Sequence, residues 1–130
     1  MISKAKYEET GRKIVHASYT VHKELGPGLL ESVYEICLFE ELKAQNLFVE
    51  RQLKLPVVYK GKELEKEFII DLLVEKSIAI ELKAVEQLLP VHEVKLLTYM
   101  KLADLKLGYL VNFNVSLIKQ GIRRKINGFL

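Results

Sequence analysis

Between Lys4 and Leu25 the residues Ile14, Val15, Ala17, Ser18, Val21 and Leu25 recur at three- and four-residue spacing, the apolar stripe of an amphipathic helix. Gly26-Pro27-Gly28 closes that helix, because a glycine accepts positive φ just past a helix end and proline cannot continue one. A second helix is predicted from about Leu29 to Gln45, burying Leu30, Val33, Tyr34, Cys37, Leu38, the stem of Glu41 and Leu42, with Asn46 as its stop. The period then changes to two: Val49, Arg51, Leu53, Leu55, Val57 and Tyr59 alternate along a strand from Phe48 to Tyr59, and Gly61 marks a turn. Two apolar runs follow, Leu64 to Val74 and Ile78 to Val85, and the polar stretch Glu75-Lys76-Ser77 between them reads as a β-hairpin. After Pro90 a helix is predicted from Val91 to Ala103 with Val94, Leu97, Met100 and the stem of Lys101 on its inner side. Leu107 to Phe113 reads as a buried strand, and the tail from Val115 to Leu130 as a short edge strand with a frayed end. The order ααβββαβ(β) predicts an α/β (α+β) fold, a mixed sheet with flanking helices, and no repeat or linker divides residues 1–130 into more than one domain.

Composition narrows the class. A chain of 130 residues with 49% hydrophobic and 28% charged residues has the make-up of one globular domain able to bury an ordinary core. The single cysteine, Cys37, forms no internal disulfide, so a reducing cytoplasm is the expected compartment. The first residues carry acidic groups where a signal peptide would be apolar. The most apolar region, Phe68 to Val91, is interrupted by Asp71, Glu75, Lys76, Glu81, Lys83 and Glu86, so no membrane span is expected. A net charge of +3 neither requires nor excludes a nucleic-acid partner.

The chemistry lies in the two central apolar runs. Asp71, Glu81 and Lys83 are charged residues set into strands otherwise built for burial, where an unpartnered ionised carboxylate costs several kcal/mol or is driven to its neutral form. Glu81 and Lys83, two apart, share a face beside the small Ala79. A two-residue turn at Lys76-Ser77 would set Asp71 opposite Leu82, on the wrong face. A three-residue connection, Glu75-Lys76-Ser77, pairs Val74 with Ile78 and sets Asp71 across from Glu81; this register is the one predicted. Two carboxylates that close call for a cation between them, and a hard divalent ion, Mg²⁺ or Mn²⁺, suits them. Lys83 beside such an ion could help deprotonate water and stabilise charge growing on a phosphate.

The order Asp71, then a strand carrying Glu81-x-Lys83, resembles the PD-(D/E)XK nuclease superfamily. The stretch from Leu25 through Gly28-Leu29-Leu30-Glu31-Ser32-Val33-Tyr34 to Glu35 is similar to the signature of its small bacterial branch, the GxxExxY proteins. The likeness continues through Tyr59-x-Gly61, Asp71-Leu72-Leu73-Val74, Glu81 to Val85, His92, Leu97-x-Tyr99-Met100-Lys101 and Leu110 to Asn114, nearly the whole chain. The resemblance implies a restriction-endonuclease-like sheet, with Asp71 and Glu81 as metal-binding carboxylates, Lys83 as the catalytic lysine and Glu31 as a further metal ligand. One position departs: Lys95 stands where the pattern carries the glutamine of His-x-x-Gln-x-x-x-Tyr, four residues before Tyr99.

Several residues carry an ordinary reading beside the functional one. Glu31 in the first turn of a helix is favoured by the helix dipole alone. Tyr34 is expected either to hydrogen-bond the site or to anchor its helix to the sheet. Cys37 reads as a core thiol, and His16, His22 and His92 are too scattered for zinc. Arg123, Arg124 and Lys101, with Lys125 and Lys106, read as solvated surface or as contacts to a nucleic-acid backbone. The expected activity is phosphodiester hydrolysis by a metal-activated water, with Asp71, Glu81, the Leu82 backbone carbonyl and Glu31 around the ion and Lys83, Tyr34, Lys95 and Tyr99 in support. The alternative is the same fold as a catalytically weak or inactive nucleic-acid-binding or protein-interaction module. Nucleic acid, DNA ahead of RNA, is the expected partner, and a homodimer is compatible with the sequence.

Overall fold

The computed structural model describes residues 2–130. Helix α1 spans Lys4–Leu25; the Ser3 hydroxyl accepts from the Lys6 N–H at its start, and Gly26, at φ 68°, ends it by donating its own N–H to the His22 carbonyl. Helix α2 spans Glu31–Ala44. Strands β1 (Val49–Tyr59), β2 (Lys62–Val74), β3 (Ile78–Lys83), β4 (Leu107–Asn112) and β5 (Ile122–Ile126) form one five-stranded sheet in sequential order. Pairing is antiparallel except between β3 and β4, which run parallel because helix α3 (Pro90–Leu102) carries the chain back across the sheet. The predicted tail strand is β5, entered through a 3-10 turn at Ile118–Gly121.

Two hydrophobic clusters cover the sheet. Ile14, Ala17 and Val21 of α1 and Tyr34, Leu38 and Leu42 of α2 pack with Leu72, Val74, Ile78, Ile80, Leu82, Tyr109 and Val111. Leu96 and Met100 of α3 pack with Phe68, Ile70, Leu73, Ala79 and Leu110. The inward assignments of Leu30, Val33 and Val94 from sequence are corrected. Leu30 is 74% and Val33 37% exposed, because Leu30 precedes α2 in extended conformation and the inner stripe runs from Tyr34 to Leu38 and Leu42. In α3 Val94 is 60% exposed and Leu96 is buried instead. Apolar residues occur all round Val91 to Met100, so periodicity alone leaves the phase of that helix open, and the i, i+4 pair Leu96 and Met100 sets it.

The hairpin between β2 and β3 has the register predicted from the three-residue connection: Val74 pairs with Ile78, Leu73 with Ala79 and Leu72 with Ile80. Glu75 and Lys76 both take left-handed backbone angles to make this turn. Beyond Leu72 the ladder opens, and the Leu82 N–H meets the Asp71 carboxylate at 2.9 Å. The alternation of faces slips at the same level. Phe68, Ile70 and Leu73 join the α3-side cluster, whereas Leu72 and Val74 join the other. In β1, likewise, Val49 belongs to one cluster and Leu53 packs on the other, with Gln52 at φ 53° between them. A paired kink at Gln52 and Asp71 thus lets a charged side chain enter the sheet at a point where the strands splay.

Candidate active site

The opening between β2 and β3 forms a cleft of about 370 Å³ lined by Glu31, Gln52, Glu67, Phe68, Ile69, Asp71, Glu81, Lys83, Lys95 and Tyr99. Four neighbouring elements contribute its charged groups. The second helix supplies Glu31 from its first turn, β2 supplies Asp71, β3 supplies Glu81 and Lys83 two residues apart, and α3 supplies Lys95 and Tyr99 one turn apart. The larger grooves alongside α1, about 600 and 620 Å³, bring no two carboxylates together.

Glu81 is the most perturbed group in the cleft. Burial, followed by the closeness of the Asp71 carboxyl, pushes its carboxyl up to about 9, while Lys95 and Lys83 pull it down only in part. Without a cation the Glu81 carboxyl therefore favours its protonated form at neutral pH. Lys95 Nζ stands 3.9 Å from Glu81 Oε2, close enough for attraction and too far for a hydrogen bond. That oxygen is buried and has no hydrogen-bond partner. Burial also raises Glu31, offset by the Lys83 charge. The Lys95 ammonium lies 5.4 Å from the centroid of the Tyr99 ring, which in turn packs on Phe68 with centroids 5.0 Å apart.

An unpartnered buried carboxylate oxygen on a residue that has a second carboxyl close by is what a divalent cation would satisfy. Among the described residues no three His, Cys, Asp or Glu side chains converge as a closed ligand cage. The donor set suits an ion that keeps several waters, as Mg²⁺ does, rather than one enclosed by protein. The Lys83 carbonyl accepts from Phe113 N–H on the β4 side, so strand alternation turns both backbone groups of Leu82 toward β2 and the cleft.

Tyr34 is not brought to the cleft. It is fully buried, stacks on Phe113 with centroids 4.6 Å apart, donates to the Gly26 carbonyl at 2.6 Å and accepts from the Leu29 N–H at 3.0 Å. It anchors α2 and pins the glycine turn that presents Glu31. The basic residues are also apart from it: Arg124 pairs with Glu8 at 2.7 Å, Arg123 donates to the Gln120 carbonyl at 2.7 Å, both on β5, and Lys101 is exposed on α3.

Three residues near the cleft escaped the sequence reading. Gln52 donates from Nε2 to Glu35 Oε1 at 2.6 Å and to Asp71 Oδ1 at 3.2 Å. Burial raises the Glu35 carboxyl, and the Gln52 hydrogen bond holds it back. Asn112, 1% exposed, accepts from Val85 N–H at 3.1 Å and donates to the Val85 carbonyl at 2.9 Å, tying down the chain just beyond Lys83. Its signal was its place in the buried strand Leu107 to Phe113, where an unpaired amide would be costly.

A mixed sheet carrying two acidic side chains and a lysine on adjoining strands, with a helical glutamate over them, is the arrangement of a restriction-endonuclease-like nuclease fold. A family model described as the PD-(D/E)XK nuclease superfamily matches residues 8–125, and the chain belongs to that superfamily. Membership gives it a nuclease-like function, and nucleases of this superfamily generally use divalent metal ions. No curated protein and no solved structure matches the chain. No helix among the described residues is long and apolar enough to cross a membrane.

Proposed function

We propose that the protein is a Mg²⁺- or Mn²⁺-dependent phosphodiesterase of the bacterial GxxExxY branch, acting on nucleic acid, with DNA preferred to RNA. The observation that carries this reading is the orphaned Glu81 Oε2 in a cleft that Glu81 shares with Asp71 and two lysines. Asp71, Glu81 and the Leu82 carbonyl would hold the ion, with Glu31 as a further ligand. When bound, the ion supplies an activated water and neutralises charge on the phosphate. Lys83, as an ammonium, orients the attacking water and stabilises the negative charge that grows on the phosphate. Lys95 faces the phosphate from α3, and Tyr99 supports the Lys95 ammonium. Lys101, Arg123 and Arg124 are assigned to the nucleic-acid backbone away from the cleft; Arg124 would exchange Glu8 for phosphate on binding.

The test is cleavage of labelled single- and double-stranded DNA and RNA by wild type and Lys83→Ala, with and without chelator. Chelator-sensitive cleavage by wild type and a loss of at least about a hundredfold in the variant are expected. Equal trace activity in both would point to contamination and end the enzyme reading.

A second reading is favoured by Lys95, whose ammonium stands 3.9 Å from Glu81 and supplies a built-in positive charge where a metal would otherwise be required. On that reading the fold serves as a nucleic-acid-binding or protein-interaction module, and millimolar Mg²⁺ or Mn²⁺ leaves the melting temperature unchanged.

A further inference from the structure

Gln52 lies opposite Asp71, between the Arg51–Leu72 and Leu53–Ile70 pairs of β1 and β2. Its φ of 53° is one that side-chain-bearing residues rarely adopt and that persists only where the surroundings impose it. Strand pairing does not impose it, since the register is the same on both sides of Gln52. The side chain supplies the reason. One amide hydrogen of Nε2 goes to Glu35 Oε1 at 2.6 Å and the other to Asp71 Oδ1 at 3.2 Å. Both partners can only accept when ionised, so the amide has one orientation that satisfies them. The second oxygen of Asp71 is held by the Leu82 N–H at 2.9 Å. The Asp71 carboxylate is thus fixed at both oxygens, once from β1 and once from β3.

Glu35 stands one turn after Glu31 on α2, is 9% exposed, and has Arg51 Nε 4.0 Å from its other oxygen. It does not line the cleft. We infer that Glu35 and Gln52 form a positioning relay, in which Glu35 orients the Gln52 amide and Gln52 sets the Asp71 carboxylate for a divalent cation. The inference rests on the metal-centre reading proposed above. Neither residue touches the ion: both act through Asp71, as outer hydrogen-bond partners of metal ligands do.

Mn²⁺ affinity of the full chain, measured by calorimetry and by the spin-resonance signal of unbound Mn²⁺, tests it. Gln52→Ala, Gln52→Gly and Glu35→Ala should each weaken binding by roughly tenfold to a hundredfold. Glu35→Gln keeps an acceptor oxygen for the Gln52 amide and should stay within about threefold of wild type. Glycine accepts the φ at position 52, so Gln52→Gly should melt above Gln52→Ala while binding Mn²⁺ as poorly. That split separates the lost hydrogen bonds from backbone strain. Wild-type binding with unchanged affinity in both Gln52 variants would overturn the relay alone. Glu35→Gln as weak as Glu35→Ala would also overturn it, since charge rather than an accepted hydrogen bond would then matter. A folded wild type that binds no Mn²⁺ would overturn the relay and the metal-centre reading together.

Discussion

Glu81 concentrates the chemistry of the cleft in one side chain. Its carboxyl is raised from an ordinary 4.5 to about 9, first by burial and then by Asp71. The metal-free folded state therefore binds a proton that the unfolded chain has released, and the stability this contributes is complete below about pH 4.5 and lost as pH rises toward 9. The melting temperature of the metal-free protein should fall across that window, and Glu81→Gln should flatten the fall in a pH series of thermal melts. Asp71→Asn, which removes one of the two competing carboxylates, should raise the metal-free melting temperature at pH 8 and abolish any rise on adding Mn²⁺. Asp71, Glu81 and Lys83 were legible in the sequence because ionisable groups inside apolar strands require compensation. Gln52 and Glu35 were not. A glutamine in an alternating strand and a glutamate in an amphipathic helix are each unremarkable, and the left-handed φ at Gln52 leaves no glycine to announce it.

Among the elements, α3 shows how a site residue depends on a buried one next to it. Leu96 and Met100 seat the helix on Ala79 and Leu110, and this seating aims Lys95 and Tyr99 into the cleft. Leu96→Ala should cost about 2–5 kcal/mol of unfolding free energy in a denaturant titration, as large-to-small changes of fully buried leucines do. The extents of all three helices were readable to within about two residues from periodicity and the Gly26, Asn46 and Pro90 boundaries. The inner faces of α2 and α3 were less so, since apolar residues on several sides left the phase to tertiary packing. The β2–β3 register followed from counting turn residues. The opening of that ladder beyond Leu72 did not, because it depends on a kink shared with β1.

At the level of the whole molecule, the sequential sheet order places β3 at the centre, where it receives Asp71 from β2 on one side and Asn112 from β4 on the other. The helices then close on the C-terminal end of β3 from opposite faces, α2 bringing Glu31 and α3 bringing Lys95. This convergence from five elements explains why the chain can mount a charged cleft on an otherwise ordinary core. The net charge of +3 is partly neutralised in pairs such as Arg124–Glu8, and the cationic side chains that line the cleft are Lys83 and Lys95. The most direct measurement is a crystal structure of the wild-type chain soaked in Mn²⁺, with anomalous scattering used to find the ion. A peak bridging the carboxylates of Asp71 and Glu81 is expected. Clear density for both side chains at saturating Mn²⁺ with no peak between them would contradict the metal centre.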